Sequence, residues 1–175
     1  MQESFNKALA FVLRDEGGND DDPADHGGRT SRGITQREYS AWLAEQMRPD
    51  GDVWVASDAD IATIYRNEYW NPWCDSLPAG TDYAFFDECV NAGPHRAIVI
   101  GQRALGVDDD GRVGPVTRAA IAAADATTEG QLDLLAKYDE HKRVFYQSLH
   151  QPRFLRGWLN RCDHVLTNAK TMIGT

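Results

Sequence analysis

Cysteine is scarce in this 175-residue sequence: Cys74, Cys89 and Cys162, odd in number and widely spaced. That count excludes a disulfide framework and fits folding in a reducing cytosol. Cys89 lies in an apolar helical stretch and is expected as a small core residue. No stretch approaches the roughly 18 apolar residues of a transmembrane helix. The N-terminus has no basic region leading into an apolar run, so a cleavable signal peptide is not expected. Positive charge is short: 18 Lys and Arg stand against 27 Asp and Glu, a formal net charge of −9. This excludes a nucleic-acid surface, whose phosphates need clustered Lys and Arg, and a polybasic membrane surface. His26, His95, His141, His150 and His164 show no metalloprotease spacing and have no cysteine partners nearby, so no zinc site is expected. Asp108-Asp109-Asp110-Gly111 is not a calcium loop either. With its glycine at Gly111, the first and last ligands would fall on Gly106 and Thr117. No metal or cofactor is expected. No long run alternates with period two, so strands should be few.

The sequence does hold helix signals in series. Its 42% hydrophobic residues suffice for one compact domain over 1–175. Phe5, Ala8, Leu9, Val12 and Leu13 recur at helical spacing, with Ser4 expected as N-cap. Thr35 with Glu38 forms a capping box, and Ser57 with Asp60 opens the next helix, which Asn71-Pro72 should end. Thr81 is expected to cap a strongly apolar, central helix through Tyr83, Phe86, Cys89 and Val90. Pro94 and Pro115 fit first helical turns, Thr128 precedes a long helix, and Phe154 to Ile173 gives the last. Between Gly17 and Thr35, five glycines and one proline mark tight turns and a small hairpin. The fold class expected is therefore mostly α: a helical bundle with one small β-hairpin after the first helix.

One glutamate stands where the first helix meets those turns. Glu16 follows Val12 by four residues, so it projects from the apolar face. A carboxyl among apolar neighbours favours its protonated form, which a general acid needs. Tyr69, Trp70 and Trp73 cluster beside Pro72. Flat rings with polar tips suit sugars in a groove, and suit a helical core equally.

Glu16-Gly17-Gly18 followed by Asp25-x-Gly27-Gly28-x-Thr30-x-x-Gly33-Ile34-Thr35 resembles the N-terminal signature of phage-type N-acetylmuramidases of glycoside hydrolase family 108, in the lysozyme-like superfamily. Further blocks extend the resemblance over nearly the whole chain: Ile64-Tyr65-Arg66, Leu77-Pro78-Ala79-Gly80, Val90-Asn91-x-Gly93-Pro94 and Arg156-Gly157-Trp158 among them. Asn19 stands where the family has an aromatic, and an acidic run, Asp20-Asp21-Asp22, follows. The chain from about residue 94 resembles a peptidoglycan-binding helical subregion, with Gly111 to Thr117 similar to a turn of such modules. The resemblance implies cleavage of the β-1,4 bond from N-acetylmuramic acid to N-acetylglucosamine. It assigns Glu16 as general acid, Asp25 as second carboxylate with Asp22 as rival, and Thr30 to orient a water. Tyr69, Trp70, Trp73 and Asn91 would bind substrate. It further implies an endolysin: a monomer held in the host cytoplasm until a holin releases it to the wall. Two other readings stay open, a lytic transglycosylase and a non-catalytic wall-binding protein of the same fold.

Overall fold

A computed structural model of the chain describes residues 2–21, 28–70 and 73–173. The α-helices are α1 (Gln2–Glu16), α2 (Gln36–Glu45), α3 (Asp58–Tyr65), α4 (Thr81–Ala92), α5 (Pro94–Leu105), α6 (Pro115–Asp125), α7 (Thr128–Ser148) and α8 (Pro152–Lys170). Three two-residue strands follow α1: β1 (Asn19–Asp20), β2 (Thr30–Ser31) and β3 (Ile34–Thr35). The mostly helical, lysozyme-like class expected from sequence is the fold observed. The chain divides into two compact units, Asn6–Glu68 and Met1–Phe5 with Tyr69–Thr175.

The smaller unit holds the sheet. Its order is β1-β2-β3, antiparallel throughout, with Ser31 opposite Ile34 and Thr30 opposite both Thr35 and Asp20. The expected hairpin is β2–β3, and β1 adds a third strand. Arg32 and Gly33 make the connection with φ of 50° and 80°. Positive φ at both central residues is the type I′ turn, whose twist matches that of the flanking strands. Thr35 then caps α2 through the expected box with Glu38. Ser57 caps α3 by accepting from the Asp60 N–H. Beyond α3 the helix widens into a π-helical turn, Arg66–Trp70. The expected stop at Asn71-Pro72 lies outside the described residues.

The larger unit is built around α4. Every residue from Thr81 to Cys89 is buried, because α5, α7 and α8 pack against this one helix. Thr81 does not cap it. The N-cap is Gly80 at φ 87°, a conformation glycine tolerates. The Asp82 carboxylate takes over the capping, accepting from the N–H groups of Gly80 at 2.8 Å and Tyr83 at 2.6 Å. Ser4 is not an N-cap either. It lies within α1, and its hydroxyl donates to that same carboxylate. The expected helix after Thr128 begins there, with Thr127 as its cap.

α4 also carries buried charge. Asp87 accepts from Lys142 of α7 at 3.1 Å and from Arg161 of α8 at 2.8 Å. Glu88 accepts from the Tyr146 hydroxyl at 2.9 Å and lies 3.5 Å from Lys142. Burial pushes the Glu88 carboxyl above its ordinary range, against the pull of Lys142. Burial also lowers the Lys142 ammonium, but Asp87 and Glu88 outweigh it and hold the charge. Cys74, Cys89 and Cys162 are free and buried.

Candidate active site

Glu16 is the last residue of α1. Gly17, at φ 79°, turns the chain out of the helix in the left-handed conformation that ends many helices. The chain enters β1, and the Gly18 carbonyl accepts from the Arg32 N–H at 3.1 Å. That bond ties the end of α1 to the type I′ turn.

The turn is held from several sides. Arg32 is not glycine, so its positive φ costs energy that its contacts must offset. Its guanidinium donates to Asp58 at 2.5 Å and to the Ala56 carbonyl at 2.6 Å. Its own carbonyl accepts from the hydroxyl of Tyr65, a fully buried residue of α3, at 2.8 Å. Gly33 then presents a bare backbone to Glu16. A Cβ on Gly33 would lie 2.5 Å from Tyr65 Oη and 3.2 Å from Glu16 Oε2. Glu16, a half-buried residue, therefore has its carboxyl against a turn anchored by Asp58, Ala56 and Tyr65. This arrangement suits a proton donor whose position must not drift.

Thr30 sits in β2, one pair beyond the turn, and is half-buried. Its carbonyl accepts from the Trp54 indole N–H at 3.0 Å. The Arg29 guanidinium stacks 3.7 Å over that indole and donates to Asp52 at 2.9 Å. Asp25 and its rival Asp22 lie outside the described residues.

The aromatic set separates. Trp70 is 1% exposed. It packs edge-on against Phe5 and Phe86 at 5.2 and 5.4 Å and donates its indole N–H to Asp75 at 2.7 Å. It is a core residue rather than an exposed ring. Tyr69 is half-buried in the π-helical turn, and Asn91 is exposed near the end of α4, donating to the Asp87 carbonyl at 2.7 Å. Trp73, half-buried, lines a cavity of the larger unit. Sequence reasoning singled out no role for Arg32 or Tyr65 at Glu16. The one available signal was Arg32-Gly33 between two short β-prone pairs, a two-residue turn pattern.

Residues 9–93 match the family described as Glycosyl hydrolase 108. Residues 96–163 match the one described as "Predicted Peptidoglycan domain". A solved structure described as "Structure of Brucella abortus SagA" is 32% identical, with a TM-score of 0.80 over 100% of this chain and 98% of that chain. No curated protein matches. The chain belongs to glycosyl hydrolase family 108. As a member of family 108 it is a glycoside hydrolase of the N-acetylmuramidase type, with peptidoglycan as substrate. Glu16, Thr30 and the whole type I′ turn lie within the family 108 match.

Proposed function

We propose that Glu16 is the general acid of this muramidase, protonating the glycosidic oxygen as the bond from N-acetylmuramic acid to N-acetylglucosamine breaks. One observation carries the assignment: the Glu16 carboxyl is seated against Gly33 of a strained, multiply anchored turn, 3.2 Å from where a Cβ would stand. Asp25 is the proposed second carboxylate and Thr30 the group that orients a water. A water between the carboxyls is the inverting arrangement, in which they stand about 6.5–9.5 Å apart. Glu16→Gln should lower the release of reducing ends from purified peptidoglycan by about 10²–10⁴-fold, since an amide cannot donate the proton. Retention of more than half the rate, with an unchanged circular dichroism spectrum, removes Glu16 from the role. A covalent adduct on Asp25, or an initial product in the β configuration, argues for retention. 1,6-Anhydromuramic ends would mark a transglycosylase, and no release at all a wall-binding protein.

We propose further that the chain is a monomeric endolysin, folded in the cytoplasm of a host cell and admitted to its wall by a holin, with lysis as the outcome. The three free, buried thiols support folding in a reducing compartment. Co-expression decides it: lysis should need a holin, and lysis by this chain alone would overturn the dependence.

A further inference from the structure

β2 is only two residues long, Thr30–Ser31, and pairs with two strands equally short. A sheet so small is marginal by itself, so the support that fixes Thr30 must come from outside it. The segment from Asp52 to Asp58 supplies that support. Its 3₁₀ turn, Val53–Val55, is capped by Asp52, whose carboxylate accepts from the Trp54 backbone N–H at 3.0 Å. The other oxygen of that carboxylate accepts from Arg29 at 2.9 Å. Gln36, the first residue of α2, fastens the same two parts of the chain. Its backbone N–H donates to the Arg29 carbonyl at 2.8 Å. Its side chain accepts from the Val53 N–H at 2.9 Å and donates to the Gly51 carbonyl at 2.8 Å. Further along, Ala56 and Asp58 hold Arg32. The segment therefore grips β2 both just before its start and just after its end.

Trp54 meets two successive residues of the chain there. Its ring face carries the Arg29 guanidinium, 3.7 Å from the ring centre, and its indole N–H donates to the Thr30 carbonyl at 3.0 Å. The face and the edge of one rigid ring thus fix the Arg29 side chain and the Thr30 backbone together. The ring stays 36% exposed, unlike Trp70 of the core.

We propose that Trp54 is a positioning residue of the muramidase reaction. By holding the Thr30 backbone it sets where the Thr30 hydroxyl places a water relative to Glu16. This rests on the reading of Thr30 as the group that orients the water. Placement of that kind matters, because a displacement of about 1 Å in a reacting arrangement can cost about 10²-fold in rate. Trp54 acts through Thr30 rather than on the sugar: its N–H is bonded to the Thr30 carbonyl, and Arg29 covers a face of its ring.

Steady-state kinetics of the full chain on soluble, uncross-linked glycan strands test this. Trp54→Phe keeps a ring for Arg29 and loses the N–H. It should lower kcat about tenfold and leave KM within about twofold of wild type. The melting temperature should shift by no more than about 4 °C, the size of one hydrogen bond. Thr30→Val should lower kcat as well. In that background Trp54→Phe should lower kcat by less than about a further twofold, because two residues acting as a unit are not additive. Arg29→Lys keeps a charge for Asp52 but gives up the flat stack, and should lower kcat severalfold with KM unchanged. Wild-type kcat in Trp54→Phe would overturn the role, and so would an equal loss from it in both backgrounds. A raised KM with kcat kept marks a ring that binds sugar and overturns it too. A fall in melting temperature of about 10 °C or more marks packing, with the same result. Thr30→Val at the wild-type kcat overturns the Thr30 reading and this role with it. A lowered kcat in Thr30→Val beside a wild-type kcat in Trp54→Phe overturns the role of Trp54 alone.

Discussion

The contact between Gly33 and Glu16 leaves no room for a side chain. Its φ of 80° is glycine's, and a Cβ would fall 2.5 Å from Tyr65 Oη. Gly33→Ala should therefore cost about 1–3 kcal/mol from the backbone alone, with the clash added. It should also lower lytic activity, because the methyl displaces the Glu16 carboxyl. Adding Tyr65→Phe removes the closest clashing atom, so the double variant should melt higher than Gly33→Ala by itself. Melting curves on the two variants check this. Equal melting temperatures would mean that the Tyr65 hydroxyl does not limit the turn.

At the scale of elements, α4, α7 and α8 are joined by buried charge as well as apolar packing. Lys142 is 2% exposed and faces two carboxylates that are fully buried. Removing one partner of such a set leaves buried charge uncompensated and typically costs about 3–5 kcal/mol. Lys142→Met should show a loss of that order in chemical denaturation, and adding Glu88→Gln should recover part of it. Glu88 also sets a pH dependence. Burial raises its folded-state value above the ordinary 4.5, so between those two values the native state binds more protons than the unfolded chain. Its contribution is thus fully present below about pH 4.5 and is lost as pH rises through the folded value. Glu88→Gln should flatten the decline of melting temperature on the alkaline side of pH 4.5. An unchanged profile would place the titrating group elsewhere.

Across the whole molecule, family boundaries and packing boundaries do not coincide. The family 108 match ends at residue 93, and the second match begins at residue 96. Yet α4, which ends at Ala92, is packed against α5, α7 and α8. Cutting the chain at residue 93 would expose a helix buried from Thr81 to Cys89, including Asp87 and Glu88. A fragment of residues 1–93 should be insoluble or bind hydrophobic dyes, and the intact chain should melt in a single transition. A soluble fragment with its own cooperative melting curve would show that the N-terminal match folds by itself.

Local pattern and local chemistry were enough for much of this protein. The caps at Thr35 and Ser57, the prolines opening α5 and α6, and Glu16 at a helix end stopped by Gly17 depend on neighbours within a few residues. So does the ordered block from Glu16 to Thr35, which pointed to the family. What the tertiary structure decided involves partners far apart in sequence. Ser4 reads as a cap, but its partner Asp82 is 78 residues away. Lys142 neutralises Asp87, which is 55 residues away. Trp70 and Trp73 carry the same ring three residues apart, and one is core while the other lines a cavity. Periodicity could not separate them, because Trp70 itself ends the π-helical turn Arg66–Trp70, where the phase of the helix shifts. Only the packed helices determine which side of each ring meets protein.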